Sequence, residues 1–269
     1  MITERSVSAE AIAKAAQLTE VFKKWGVDVV ACDFDDTLIG TRALFYQAFV
    51  DIGSLFEDAT EGRIAASQIK DEMLNVIIHD LRPEFGVHPA ISEMTVLTCA
   101  RLVGLSPSSD VVERAVERIK DVYRKDVPEI FEGAVETIGL LNATNARVVL
   151  MTHAAEEWTW HKRVSTGLVG KFDRVHCFSV VRNKAVQWEE KLREARIDPK
   201  YLLVVGDNKD SDILPPVRMG AMGVWVTNGG RAVFSLDHTT EEHPFDQTVM
   251  EAESIKVVPE VIIKHGLGF

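Results

Sequence analysis

The sequence predicts an α/β protein: a Rossmann-like parallel sheet with helices on both faces, plus an inserted all-α domain. From Pro128 onward, short apolar runs alternate with amphipathic helical patterns, which is typical of a parallel sheet covered on both faces. Residues 41–126 instead show helical periodicity and no convincing strand. We therefore divide the chain into a core domain, residues 1–40 and 127–269, and a helical insertion, residues 41–126.

The first elements are a helix and a buried strand. Residues 9–25 carry apolar side chains at helical spacing, with Ser8 as a candidate cap and Gly26 as a stop signal. Residues 29–32 form a short apolar run bounded by polar residues, which is typical of a buried strand. The first helix therefore leads directly into the first strand of the sheet.

The helical insertion contains four predicted helices. They cover residues 43–56, 63–81, 90–102 and 110–125. Turn signals separate them at Arg82-Pro83, at His88-Pro89 and at residues 106–109. This pattern predicts a helical bundle placed immediately after the first strand.

The remainder of the core alternates helix and strand. Helices are predicted at residues 132–141, 156–164, 185–195, 213–219 and 258–263, and strands at residues 146–151, 174–181, 201–205 and 223–227. In parallel sheets of this kind, ligands bind beyond the carboxyl ends of the strands. The residues that follow each strand are therefore the candidates for function.

Composition restricts the class of protein and its partners. The 269 residues are 46% hydrophobic and 26% charged, as in ordinary soluble proteins, and the net charge of −11 disfavours binding to nucleic acid or to an anionic membrane. Cys32, Cys99 and Cys177 lie in apolar contexts without paired spacing, which predicts buried reduced thiols. The N-terminus lacks a secretory pattern and no apolar run has membrane-spanning length. We expect a cytoplasmic monomer or homodimer.

Polar side chains cluster where three predicted strands end. Asp33 and Asp35 follow the first strand, Thr152 ends the second, and Asp207 follows the strand at residues 201–205. Lys184 opens a helix between the last two, and Asp210 and Asp212 come after Asp207. The acidic segment alone is equally compatible with a surface loop, but the whole set suits metal-assisted transfer of an anionic group.

These segments resemble the four motifs of the haloacid dehalogenase-like superfamily, in the right order. The run from Asp33 to Leu38 resembles the first motif and Thr152 the second, and Lys184 falls where the third is expected. The run from Gly206 to Ile213 resembles the fourth. The resemblance covers residue 27 to about residue 263.

The resemblance implies a role for each of these residues. Asp33 would attack phosphorus and form an aspartyl-phosphate, and Asp35 would act as general acid and base. Thr152 would bind a phosphoryl oxygen, and Lys184 would offset negative charge. Mg²⁺ would be held by Asp33, the backbone carbonyl of Asp35 and Asp207. Asp212, in preference to Asp210, would support the metal's water shell or orient Lys184.

The resemblance further implies a phosphatase acting on a small phosphorylated metabolite. Family members that release halide lack the acid found here at Asp35, and the helical insertion resembles the cap that closes over the site in this family. Alternatives are a phosphomutase, a phosphonate-cleaving enzyme that uses a lysine of the insertion, and a catalytically silent binding protein.

Several other residues are given structural roles. Asp36 is predicted to support a turn, His153 to pack unless it touches substrate, and Trp158 and Trp160 to pack in the core or against the insertion. A pair of histidines without further ligands, His238 and His243, is poor evidence for a metal site. Four basic residues of the insertion could select substrate, although solvated helix faces explain most of them: Arg42, Lys70, Arg82 and Arg101.

Overall fold

The computed structural model describes residues 8–228 and 248–268, which form a parallel sheet with helices on both faces. Its six strands are β1 Val29–Cys32, β4 Arg147–Thr152, β5 Arg174–Cys177, β6 Leu202–Gly206, β7 Met222–Val226 and β8 Val249–Ala252. They are paired in the order β5-β4-β1-β6-β7-β8, and each pair is parallel. This confirms the predicted fold class.

The helices of the core cover both faces of the sheet. They are α1 Ala9–Trp25, α7 Ala134–Asn142, α8 Glu156–Ser165, α9 Trp188–Ala195, α10 Leu214–Arg218 and α11 Val258–Leu267. Alternate residues of β1 point to opposite faces: Val30 belongs to the apolar cluster beneath α1, α7 and α11, whereas Val29 belongs to the cluster beneath α9 and α10. Because β1 is apolar at every position and central in the sheet, its end is rigidly placed.

The helical insertion has an apolar cluster of its own. It comprises α2 Thr41–Ala59, α3 Ala66–Asn75, α4 Arg82–Phe85, α5 Ala90–Leu102 and α6 Asp110–Arg124. Its core is built from large apolar side chains of these helices, among them Phe49, Ile52, Met73, Val96 and Val122. The inserted bundle therefore packs around an interior separate from the two clusters beneath the sheet.

The sequence predicts a turn at Arg82-Pro83, and this prediction is wrong. After α3 the chain makes a π-helical turn, Val76–Leu81, and continues without interruption into α4, so that Pro83 lies in the first turn of a helix. The helical path ends instead at Gly86, whose φ of 69° is in the left-handed region.

Two very short strands connect the insertion to the core. The strand β2, Ile39–Gly40, precedes α2, and β3, Glu129–Ile130, follows α6; they form an antiparallel ribbon in which Ile39 pairs with Ile130. The sequence prediction missed both, because two residues carry no periodicity. The two chain crossings between insertion and core are therefore hydrogen-bonded to each other.

Other boundaries also differ from the prediction. The strand expected at residues 174–181 ends at Cys177, and residues 178–183 form a loop. The strand β8 was not predicted. All three cysteines are free thiols; Cys32 and Cys99 are buried, and burial raises the pKa of each to about 12. Among residues 8–228 and 248–268, no helix is both long and apolar enough to cross a membrane.

Candidate active site

The carboxyl ends of three adjacent strands open into one cavity. Asp33 follows the central strand β1, Thr152 ends β4 on one side, and Asp207 follows β6 on the other. The cavity has a volume of about 210 Å³ and lies between this edge of the sheet and the helical insertion. Its core side presents the residues expected to be functional, and its far side is lined by side chains of the insertion.

Asp33 and Lys184 form a buried ion pair at the base of the cavity. Lys184 Nζ lies 2.5 Å from Asp33 Oδ1 and 2.8 Å from Asp212 Oδ1, and it donates to the carbonyl of Met151 at 3.1 Å. Burial raises the pKa of Asp33 well above its usual value, although Lys184 opposes this. Burial also disfavours the charged lysine, but the two carboxylates outweigh it and raise the pKa of Lys184.

Three carboxylates converge into a cluster that could hold a metal ion. Oxygen atoms of Asp33, Asp207 and Asp212 all lie within 4.8 Å of one another. Burial, followed by repulsion from Asp212, raises the pKa of Asp207 to about 7. Converging carboxylate oxygens are the donor set that a hard divalent cation prefers, and such a cation would relieve the repulsion. The cluster therefore fits Mg²⁺.

The loop after β6 turns Asp212 back towards the strand end. Asn208 caps the turn by accepting from the backbone N–H groups of Asp210 and Ser211, and its own N–H donates to Asp212 Oδ2 at 3.1 Å. A Cβ on Gly206 would lie only 2.7 Å from the Asp212 Cβ, so glycine is needed for this close approach. The structure thus places Asp212 beside Lys184, whereas Asp210 lies outside the acidic cluster.

The Asp35 carboxylate is held by three donors. Thr41 Oγ1 donates to Oδ1 at 2.5 Å, Thr152 Oγ1 donates to Oδ2 at 3.2 Å, and the ammonium group of Lys162 pairs with Oδ1. Burial opposes ionisation of Asp35, but Lys162 and the hydroxyl donors outweigh it and lower its pKa. The hydroxyl of Thr152, expected to face a phosphoryl oxygen, is directed at Asp35 in this structure.

Sequence reasoning missed Lys162. It lies on α8, it is fully buried, and its Nζ lies 3.8 Å from the centre of the Trp158 ring. Trp158 in turn packs on Phe45 and Tyr123 of the insertion, which agrees with the prediction that Trp158 packs in the core or against the insertion. A signal was present, because Trp158 and Lys162 are four residues apart on one helix face. Trp160, by contrast, is 56% exposed, so its predicted packing role is wrong.

Asp36 and Arg42 complete the junction between core and insertion. The Arg42 backbone N–H and Nε both bind the Asp36 carboxylate, and its terminal nitrogen lies 2.7 Å from Asp207 Oδ2. Asp36 adopts a left-handed φ of 62°, and its carbonyl accepts from Asn228 at 2.5 Å. Burial raises the Asp36 pKa to about 7. These contacts agree with the turn role predicted for Asp36.

The remaining candidates divide between the cavity and the surface. His153 lines the cavity and contacts the carbonyl of Ser179 at 3.0 Å; burial, aided by Lys184, lowers its pKa to about 4, so the ring is neutral. Of the four basic residues considered, Arg42 and Arg82 line the cavity, and Lys70 and Arg101 do not. His238 and His243 lie outside the described residues.

Comparison with known proteins agrees with this architecture. The family model described as a haloacid dehalogenase-like hydrolase matches residues 30–226. No curated protein matches the chain in sequence. Among solved structures, a haloacid dehalogenase-like family hydrolase from Xanthomonas campestris is similar, with a TM-score of 0.69 and 18% identity over 90% of this chain and 94% of that chain.

Other solved structures share the fold at similarly low sequence identity. A 2-haloacid dehalogenase from Pseudomonas syringae has a TM-score of 0.56 and 18% identity over 89% of this chain and 99% of its own. The hydrolase YfnB from Bacillus subtilis, bound to magnesium, has a TM-score of 0.60 and 14% identity over 90% and 99%. Phosphatases and dehalogenases both occur among the neighbours. With a family match that spans most of its length and this fold, the chain belongs to the haloacid dehalogenase-like hydrolase family.

Proposed function

We propose that this chain is a Mg²⁺-dependent phosphomonoester hydrolase that acts on a small phosphorylated metabolite through an aspartyl-phosphate on Asp33. One observation carries the proposal: a second carboxylate, Asp35, stands two residues from the nucleophile and is held in place by Lys162, Thr41 and Thr152. An alkoxide leaving group needs a proton, whereas a halide does not. A positioned acid therefore favours oxygen esters of phosphate over carbon-bound halogen.

Asp33 is suited to attack phosphorus. It is nine-tenths buried, and Lys184 2.5 Å away fixes the orientation of the carboxylate and offsets the charge of an incoming phosphoryl group. Thr37 Oγ1 also lies 3.3 Å from Asp33 Oδ2 and 3.2 Å from Asp207 Oδ1. The new bond joins an Asp33 oxygen to phosphorus while the bond from phosphorus to the ester oxygen breaks.

Asp33, Asp207 and Asp212, with the backbone carbonyl of Asp35, would hold the magnesium ion. When bound, Mg²⁺ would withdraw charge from the phosphoryl oxygens and lower the repulsion within the acidic cluster. The raised pKa values of Asp33 and Asp207 support a cation here, because burial and neighbouring carboxylates disfavour their ionised forms. Asp33 must be ionised to attack phosphorus, and a bound cation would favour that form.

Asp35 would serve both halves of the reaction. The negative charge of a bound phosphoryl group favours protonated Asp35, which then donates that proton to the departing alkoxide. The carboxylate left behind removes a proton from the water that attacks the aspartyl-phosphate. Phosphate leaves, and Asp33 is regenerated. Lys162 holds Asp35 and takes no part in bond making.

The helical insertion would restrict access of water to the reacting atoms. Phe45, Phe49 and Ile77 line the cavity from its side, and the ring of Trp158 packs on Phe45 and Tyr123. A cavity of about 210 Å³ has room for a small phosphate ester and excludes a folded protein substrate. In a water-poor cavity the charges of Lys184 and the acids act more strongly.

Phosphate release from a panel of small phosphate esters tests the proposal. We expect turnover that requires Mg²⁺ and falls by at least about a thousandfold in Asp33→Asn, because the amide cannot form the intermediate. The matched control is Asp210→Asn, which alters an acid of the loop after β6 that lies outside the acidic cluster and is expected to retain most activity.

The phosphate-release assay, together with a trapping experiment, distinguishes the alternative functions. A phosphomutase would require a bisphosphate activator and would return the phosphoryl group to a sugar, without net phosphate release. A silent binding protein would show no Mg²⁺-dependent turnover on any ester. A phosphonate-cleaving enzyme would form an imine between substrate and a lysine, which borohydride would trap on the insertion. Any of these outcomes would overturn the hydrolase proposal.

A further inference from the structure

Arg82 is a cavity-lining cation without a partner. It is the first residue of α4 and lines the cavity from the side of the insertion. Its Nε is buried and makes no hydrogen bond, and its guanidinium forms no ion pair with any residue in the described parts of the chain. The side chain as a whole is half-buried, and a partly desolvated cation without a partner favours an anion from outside the chain.

The acids of the site are already occupied by other cations. Three pairings account for the other charged groups described around the cavity: Lys184 with Asp33 and Asp212, Lys162 with Asp35, and Arg42 with Asp36 and Asp207. Burial lowers the pKa of Arg82, and the charge of Arg42 lowers it further. No carboxylate of the site is therefore left over for Arg82.

We propose that Arg82 binds a carboxylate of the substrate, so that the enzyme acts on small phosphate monoesters of hydroxy acids. This inference rests on the proposed function for the position of the phosphate. The phosphoryl group occupies the end of the cavity at Asp33 and Lys184, and the carboxylate reaches Arg82 on the opposite side. A planar guanidinium matches a carboxylate with two parallel hydrogen bonds.

The surroundings favour a carboxylate over a second phosphate. A second phosphate is a dianion, and the one other guanidinium described in this cavity, that of Arg42, is engaged by two carboxylates. Apolar side chains line the same part of the cavity, including Ile77, Val87 and Ile91. A single charge on a short carbon chain fits this combination of one free cation and apolar walls.

Matched pairs of esters test the proposal. The carboxylates are ω-phosphooxy acids of two, three and four carbons, and each is paired with the alkyl phosphate that carries a methyl group in place of the carboxylate. For wild type we expect kcat/KM at least tenfold higher for the best carboxylate than for its partner. In Arg82→Met this ratio falls to near one, chiefly through KM. In Arg101→Met, an exposed arginine of the same insertion, the ratio is retained.

A binding measurement separates failure of this inference from failure of the proposed function. 3-Phosphonopropanoate and propylphosphonate cannot be hydrolysed at an ester bond, so calorimetry with Mg²⁺ reports their binding whether or not the protein turns over. Tighter binding of the carboxylate that disappears in Arg82→Met supports the inference even if no ester is hydrolysed. Equal binding of the two phosphonates, or a preference that persists in Arg82→Met, overturns it. Circular dichroism and thermal unfolding confirm that the variant is folded.

Discussion

The ammonium group of Lys162 pairs with the carboxylate of Asp35, 127 positions earlier in the chain. This joins α8 to the loop after β1, and the lysine also covers the face of Trp158. A fully buried lysine is expensive to desolvate, and the structure offsets that cost with an ion pair and an aromatic face. Lys162 therefore positions the acid on which the proposed chemistry depends.

Replacing Lys162 should affect substrates according to their leaving groups. Lys162→Met removes the contact that fixes the position of Asp35, although loss of the lysine charge favours the protonated form of that acid. We expect kcat/KM for an alkyl phosphate to fall about 100-fold, the scale of a misplaced general acid. For p-nitrophenyl phosphate the loss should be below about fivefold, because that leaving group needs no proton. Since kcat/KM reports the steps through phosphoryl transfer to Asp33, the comparison isolates proton donation.

Two further variants control this experiment. Lys162→Arg keeps the charge and should recover part of the alkyl phosphate activity. Lys171→Met alters an exposed lysine outside the cavity and should match wild type. Equal losses on both classes of ester in Lys162→Met would mean that the lysine serves stability alone.

Asp212 is expected to control metal affinity. In Asp212→Asn the acidic cluster loses one charge, and Lys184 loses one of its two carboxylate partners. We expect the dissociation constant for Mg²⁺, measured by calorimetry with the metal alone, to rise about 10- to 100-fold. Asp210→Asn should change it by less than about twofold. A larger effect at Asp210 would show that the two acids have been assigned in the wrong order.

The stability of the metal-free protein should fall as pH rises from about 4 to 7. Burial raises the pKa values of Asp36 and Asp207 to about 7 from an ordinary 3.8, so the folded protein binds more protons than the unfolded chain in this range. Under that condition the free energy of unfolding decreases with increasing pH. In EDTA we expect the melting temperature to fall by about 5 °C, or about 2 kcal/mol for a chain of this size.

Two comparisons assign this pH effect to the acidic cluster. Mg²⁺ should raise the melting temperature more at pH 8 than at pH 5, because the ionised carboxylates bind it. Asp207→Asn should show a smaller decline with pH than wild type. Parallel curves for the two proteins would exclude Asp207 as a source of the effect.

Gly86 should control closure of the insertion. Its φ is 69°, a Cβ there would lie 2.2 Å from the Val180 carbonyl oxygen, and the next N–H, of Val87, donates to that oxygen at 2.7 Å. Gly86→Ala should therefore separate the insertion from the loop after β5. We expect KM to rise about tenfold with a smaller change in kcat, measured on the best ester of the panel.

The matched control for Gly86 is Gly62. Its φ of 72° also lies in the left-handed region, which disfavours alanine, but nothing lies within 4 Å of the added Cβ. Gly62→Ala should lose stability by about 1 kcal/mol without a change in KM. Identical kinetics in the two variants would show that contact with Val180 does not govern substrate binding.

Local patterns were sufficient to predict most of the core. The apolar strands β1, β4 and β6 and the polar residues at their ends can be read from the sequence, because a central parallel strand is apolar throughout. The end of β5 could not be read, since Phe178, Val180 and Val181 prolong the apolar pattern into a loop. The π-helical turn before α4 leaves no signal in a 3.6-residue period.

The acids of the site and Lys184 could be predicted from the sequence. The residues that hold those acids in place were harder to predict. Lys162 resembles any charged residue of an amphipathic helix, and only the fold brings Asp35 to it. Arg42 and Arg82 are similar in sequence context to Lys70 and Arg101, yet the first two line the cavity. Position relative to the sheet edge distinguishes them, and that position depends on contacts distant in sequence.

The ribbon of β2 and β3 would couple access to the cavity with assembly of the site. Because both crossings to the insertion are hydrogen-bonded together, any rotation of the insertion would carry both crossings with it. Thr41 and Arg42 follow β2 directly and contact Asp35 and Asp207. A rotation of the insertion that admitted substrate would also withdraw these two side chains. If the proposed function holds, an open form would thus be protected from wasteful reaction with solvent, and the reactive arrangement would form only around enclosed substrate.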